Sequence, residues 1–513
     1  MKSWCFGSVS AAAMALVPVA GWSLNAQDVW QKWQDLAEIY GQTVTNDGVE
    51  MMDGTLTVRN LVVAIEDGVT DATVRFSDVA FAEQPDGTVE IRLPESFPLE
   101  VIGARDLEEE NAELGLAPAY EALLLLEAAG LKMTASEAGN GMDFAFVMPA
   151  LSMTMDKYKV YGGDFPITVN MTVTGGAGSY SAGATADDPM ATAFEAAGTT
   201  VNLGFRDPDT GNTFSFDAAL EGITSQSVAK YGENMNPDQV AEALRNGFDM
   251  VSGMKYGPTT FNLLVEAPDE TTHAEGSMSG GNIDLALNAG EFKYDVGYEG
   301  LDLTVSSDQM PIGDITFKLD SASTLFSMPI LSSDEATPFA LRAALEGLQV
   351  GEELWSLFDP AAVLPRDPAT LIVDLAGTGF WSIDILDPVA TLNAQIEGTV
   401  PGAVETVDLK ELKLSVVGSE LTGNGAFTLD NEDLETFDGM PRPEGAAQFR
   451  LTGGNALLDR LVQMGIVPQD QVMMVRMMTG MFAKPGAGPD ELTSEISVDG
   501  EGMVLINGAP LPF

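Results

Sequence analysis

This sequence predicts a mainly β fold: long curved antiparallel sheets with β-bulged strands, a few short helices and a C-terminal αα-hairpin. Three observations carry that prediction. First, short alternating segments are separated by turn signals such as Asp47-Gly48, Pro85-Asp86-Gly87, the run from Asp207 to Asn212, Gly423-Asn424-Gly425, Asp499-Gly500 and Asn507-Gly508. Second, Val89, Ile91 and Leu93 alternate with polar neighbours, one face inward and one outward. Third, an octet recurs with apolar residues at its first, third, sixth and eighth positions around a pair that is mostly polar or glycine. It appears as LTVRNLVV (56–63), VRFSDVAF (74–81), MTMDKYKV (153–160), VGYEGLDL (296–303), AALEGLQV (343–350) and VDLKELKL (407–414). In a regular strand the sixth position has the wrong parity to share a face with the first and third. One extra residue at the polar pair restores the phase, so each octet predicts a β-bulge that bends and twists its strand; the alternative is a strand that changes faces and is buried on both. The spacing between octets is irregular, which argues against a fixed-period solenoid.

Taken in order, the chain begins with Lys2, an apolar stretch from Val9 to Val19, and Leu24-Asn25-Ala26 before Gln27. That is the pattern of a secretory signal peptide over residues 1–26, so export is expected. The single cysteine, Cys5, lies inside it, and the mature chain must hold its fold without disulfides. A helix follows: Val29, Trp30, Trp33, Leu36, Ala37 and Tyr40 form one stripe, Asp28 can cap it, and Gly41 can end it. Its two tryptophans are expected to dock on the first strands. The antiparallel β region then runs to residue 330, with a helix expected at PAYEALLLLEAA (118–129), whose leucine run could instead form a strand, and a short capped helix after Asn236-Pro237.

A second β region spans 331–513. Within it GEELWSLFDP (351–360) reads as a short helix, and residues 455–482 as the αα-hairpin. Asn455 is the expected cap of the first hairpin helix, Gly465 its end and Pro468 the opening of the second. The last residues, LTSEISVDGEGMVLINGAPLPF, read as a terminal hairpin. The chain ends on Phe513 as outer-membrane barrels often do, but Pro510, Pro512 and only nine tyrosines count against a barrel.

Charge excludes whole classes of function. With 77 acidic against 24 basic side chains the formal net charge is −53, which repels nucleic acid and disfavours docking on anionic lipid by charge alone. It reads as a solubility device, with collective calcium binding as the alternative. After residue 26 there is no run of about 18 apolar residues, so no further membrane span is expected.

No catalytic, metal or cofactor residues emerge. The one histidine, His273, is expected in an exposed loop, and GSMSG (276–280) puts Met278 where a nucleophilic serine would stand. The run DPDTGN (207–212) lacks the sixth-position glycine and distal glutamate of a calcium loop and reads as a hairpin turn. Among so many carboxylates, no pair can be singled out for glycoside hydrolysis. Asp359, Arg366 and Asp367 crowd a proline-stiffened connection, where Arg366 is expected to pair with Asp359 or Asp367 and fix the crossover from helix to strand; an anion clamp is the alternative.

The most distinctive helix is QVMMVRMMTGMF (471–482). A spanning role fails on length, since about 14 residues at ~1.5 Å give ~21 Å against a core of ~30 Å. Read from the sequence, the methionines surround the helix, which disfavours a soft-metal site. The helix is expected to cover the end of a sheet as a plug or lid, with Met473, Met474, Met477, Met478, Met481 and Phe482 as apolar-ligand contacts.

ELWSLFDPAAVLPRDPATLIVDLAG, GSELTGNGAFTLDNEDLETFDGMPRPEG and GGNALLDRLVQMGIVPQDQ with MMTGMF together resemble an exported Gram-negative family known as domain of unknown function 2125 (DUF2125). The order of elements matches that family over essentially the whole mature chain, although a strand rather than a helix would be expected near 118–129. The recurrent strand pattern also looks like that of AsmA-like periplasmic β proteins, whose long sheets form grooves implicated in lipid movement. The resemblance implies a periplasmic location and no known catalytic residues. Three functions stay open: a non-enzymatic binder or guide of lipid or another apolar ligand, a structural module contacting envelope proteins, and a carboxylate-based hydrolase or calcium-dependent protein.

Overall fold

The computed structural model describes residues 24–39, 41–66, 70–103, 119–138, 141–183, 188–230, 240–310 and 312–511. The expected signal segment before residue 24, Tyr40, Asn236-Pro237 and Phe513 therefore lie outside the described residues. Strands dominate, and six helices are present among the described residues: α1 (Ala26–Ile39), α2 (Val240–Arg245), α3 (Glu352–Phe358), α4 (Pro388–Glu397), α5 (Gly454–Gln463) and α6 (Gln469–Phe482).

The chain forms two compact units. The first comprises residues up to Glu233 together with Ser252–Glu275, and the second Asn234–Val251 together with Gly276–Phe513. Residue 330, where the sequence suggested a boundary, lies within the second unit between two directly paired strands, Ile315–Met328 and Thr337–Val350.

In the first unit the strand Thr55–Glu66 pairs with Thr70–Glu83, and a meander runs through Gly141–Val160, Ile167–Ala182, Met190–Arg206 and Thr213–Lys230, all antiparallel. One buried cluster runs along this sheet from Leu56 to Met190, and α1 packs into it. Val29, Trp30 and Leu36 are buried, and the Trp30 and Trp33 rings lie 5.7 and 6.3 Å from Phe81, as the amphipathic stripe predicts.

The octets resolve into two devices. Three shift the register. Asp156 has no residue opposite it where Leu123–Lys157 steps to Leu124–Met155, Glu346-Gly347 stands opposite Thr370 alone, and Lys410-Glu411 stands opposite Asn424 alone. The other three keep register because the neighbouring strand carries a matching break. Arg59–Asp78 and Leu61–Phe76 bracket Asn60, whose φ of 49° turns the strand over, and Leu56, Val58 and Leu61 then meet Phe81, Val79 and Phe76 in the core. Asparagine is among the few side chains that accept this left-handed conformation readily. Gly300, φ 66°, plays the same part between Glu299–Ser321 and Leu301–Leu319.

Two expectations are corrected. Residues 120–127 are a strand, not a helix, paired on both sides with Ser96–Gly103 and Gly141–Val160. Ala122, Leu124 and Leu126 are buried while Leu125 is exposed, so the leucine run follows the two-residue period of a sheet. Asn455 does not cap α5. The N-cap is Gly453, and the Asp490 carboxylate accepts the free N–H groups of Asn455 and Ala456 at 3.1 and 2.9 Å. Helix α4, unanticipated, has a local cap: Asp387 accepts from Val389 and Ala390, with Pro388 at the first turn and Gly398 left-handed at the end.

The second unit is an antiparallel succession through Phe292–Ser307, Ile315–Met328, Thr337–Val350, Ala369–Trp381, Gly402–Val416, Ser419–Asp430, Arg442–Thr452 and Glu491–Val498. Helices α5 and α6 are inserted between Arg442–Thr452 and Glu491–Val498.

Candidate functional site

Helix α6 buries one residue, Val472, and exposes the rest of its apolar surface. At about 100° per residue the five methionines share one arc of about 140°. They do not surround the helix, which corrects the expectation from sequence. Met473, Met474, Met477, Met478 and Met481 are 50–68% exposed, and Phe482 continues the surface at 39%. These thioethers therefore do not plug the sheet.

What faces inward is Val472, Thr479 and the helix's single cation. Arg476 donates to the side-chain and main-chain oxygens of Asn455 at 2.9 and 3.1 Å and to Asp459 at 2.7 Å. Asn455, freed from capping, thus becomes the acceptor that fixes α6 against α5. The far end is held through the Phe482 carbonyl, which accepts from Ser494 Oγ at 2.7 Å and Asn507 Nδ2 at 2.9 Å.

Ser494 and Asn507 also line an open cleft of about 670 Å³ on the sheet. Two polar rows cross three strands there: Asn424–Gln448–Glu495 and Thr422–Arg450–Thr493, each residue directly opposite the next. Gln448 Nε2 donates to Glu495 at 3.2 Å, and the Glu495 N–H donates to Asn507 Oδ1 at 3.0 Å. The two cations of the lining already face carboxylates. Lys410 lies 2.6 Å from Asp408, and Arg450 lies 3.5 Å from Glu491. These rows escape sequence reasoning because an i, i+2 polar pair on a strand reads as an ordinary wet face. Only the pairing of three strands brings the two rows side by side.

The Asp359–Arg366 junction is built for rigidity. Asp359 is buried. Its two carboxylate oxygens accept from the Val363 and Leu364 N–H groups at 2.9 Å each, and from Arg366 Nη1 at 2.6 Å. Burial pushes this carboxyl up, but the Arg366 guanidinium and the two N–H groups outweigh it and hold the carboxyl below its ordinary value. Arg366 also bonds Glu352 at 3.3 Å and stacks 4.2 Å from the centre of the Trp355 ring. Its carboxylate partners are Asp359 and Glu352; Asp367 is not one of them. With its donors directed at this chain, Arg366 is poorly placed to clamp an outside anion.

His273 sits on the strand Glu270–Met278, not in a loop, and its Nε2 lies 2.9 Å from Asn262 Oδ1 on the neighbouring strand Thr259–Ala267. In the DPDTGN turn the Asp207 carboxylate accepts from the N–H groups of Asp209 and Thr210 and from the Thr210 hydroxyl, so its oxygens are directed into the turn itself. No group of three or more potential metal ligands occurs among the described residues.

A family model described as an uncharacterized protein conserved in bacteria (DUF2125) matches residues 205–512. That span holds the cleft, both hairpin helices and the Arg366 junction. It leaves residues before 205 outside, so its coverage is narrower than the resemblance read from the sequence implied. No curated protein and no solved structure matches the chain.

Proposed function

For a chain that belongs to the DUF2125 family of conserved bacterial proteins, we propose a non-enzymatic role at the cell envelope: after export to the periplasm it binds an apolar ligand, a lipid, on the methionine face of α6. The single observation supporting this is the outward arc of Met473, Met474, Met477, Met478 and Met481 with Phe482 beside it. A helix that stabilised only its own unit would turn that surface inward. A contiguous exposed apolar surface is the kind that serves interaction sites. Thioethers suit a ligand of variable shape, because an unbranched polarizable side chain repacks at little cost. The −53 charge requires that contact to be apolar rather than electrostatic, since an anionic surface is repelled.

The test is purification of the exported protein under native conditions, organic extraction and mass spectrometry of the extract. Lipid should accompany the wild type and be strongly depleted from a Met477→Gln/Met478→Gln variant. Repeated recovery without lipid, together with no uptake of a fluorescent acyl probe in titration, would sink the reading. Intact mass of the same preparation reports on export, with Gln27 the expected first residue.

A further inference from the structure

Resting on that reading, we infer the class of ligand: an amphiphile with an uncharged, hydroxyl-rich head, the head lying in the polar cleft and the tail on the methionine face. The first argument is contiguity. The carbonyl of Phe482, where the apolar surface of α6 ends, accepts from Asn507 Nδ2, and the same side chain accepts the Glu495 N–H at the end of one polar row of the cleft. A molecule following α6 past Phe482 therefore passes from thioethers onto amides and hydroxyls without leaving this unit.

The second argument is the chemistry of the lining. The side chains of Thr422, Asn424 and Thr493 have no hydrogen-bond partner among the described residues, and Gln448 spends one N–H on Glu495 and keeps its amide oxygen. An amide offers a donor and an acceptor a short distance apart, and a hydroxyl does both on one atom, which matches neighbouring hydroxyls on a sugar or polyol. The third argument is charge. Lys410 and Arg450 already face Asp408 and Glu491, so a phosphate or sulfate head finds no uncommitted cation there and meets the field of a strongly acidic chain.

The experiment is calorimetric titration of the full mature protein with dodecyl maltoside, dodecyl phosphocholine and dodecyl sulfate, each below its micelle concentration, with free maltose as a control. Maltoside should bind about tenfold tighter than phosphocholine, the yield of one or two net hydrogen bonds to the head, and sulfate weakest. An Asn424→Ala/Gln448→Ala variant, checked for an unchanged urea midpoint, should lose about that tenfold for maltoside and nothing for phosphocholine. Equal binding of all three heads, or equal loss for both in the variant, overturns the head assignment while leaving the apolar-ligand reading standing. Free maltose binding as tightly as dodecyl maltoside overturns the amphiphile. Failure of every dodecyl chain to bind removes the apolar-ligand reading itself.

Discussion

Helices α1 and α6 are each 14 residues long, each carries an apolar stripe, and each stands beside an antiparallel sheet, yet they do opposite things. Helix α1 turns Val29, Trp30 and Leu36 into the buried core of its sheet and packs its tryptophans against Phe81. Helix α6 commits Val472 and one guanidinium to its own unit and leaves five methionines outside. The difference lies in side-chain character. Trp is large and has few rotatable bonds, so burial yields much area for little lost entropy, whereas Met has three rotatable bonds and adapts to whatever meets it. An amphipathic pattern alone states only that two faces differ.

The strongest way to break this comparison is Trp30→Ala. Truncating a buried aromatic costs about 3–5 kcal/mol, read as a fall in urea midpoint, and the loss should be the largest of any single substitution in α1. A change below about 1 kcal/mol would mean that α1 rests on the sheet without helping to hold it.

A smaller effect tests how the hairpin is held. Asp490 supplies the cap that Asn455 does not, so Asp490→Ala should cost about 1 kcal/mol. Burial pushes the Asp490 carboxyl up, but the N–H groups of Ala456 and Asn455 outweigh it and leave the carboxyl below its ordinary value. A carboxyl depressed in the folded state stabilises fully above the ordinary aspartate value of about 3.9 and loses that contribution as pH falls through its lower folded value. The gap between wild type and Asp490→Ala should thus be full at neutral pH and close in strong acid. A gap that persists there would remove Asp490 as the charged cap.

Much of this fold was legible in the sequence. The octets announced an irregularity because four apolar residues at unequal spacing can share a face only if the strand is irregular; it is a bulge at Asp156 and Lys410 but a left-handed residue within an unbroken register at Asn60. The stripe Val29, Trp30, Leu36 gave α1 and its docking partner. Three features stayed hidden for physical reasons. The leucines of 120–127 carry both helix and strand propensity, and only two neighbouring strands decided between them. The cap of α5 comes from Asp490, 34 residues from Ala456 in the chain, beyond any local rule. The cleft needs three strands side by side before Asn424, Gln448 and Glu495 form a row. Helix α4 differs in kind: Asp387, Pro388 and Gly398 spelled out a capped helix, but Val389, Leu392 and Ile396 face outward, so no core-directed stripe advertised it.

The smallest expected effect on stability carries the most information. Met477 and Met478 are 68% and 50% exposed, so Met477→Gln/Met478→Gln removes little buried area and should move the urea midpoint by no more than about 0.5 kcal/mol equivalent. Glutamine keeps the length and helix propensity of methionine, which leaves α6 itself intact. Only the apolarity of the outer face changes. If these residues serve a ligand, uptake of an acyl probe should collapse while the unfolding curve stays put, a separation that Trp30→Ala cannot show because it lowers stability directly. If the curve shifts by several kcal/mol instead, the methionines belong to a core, and α6 resembles α1 after all.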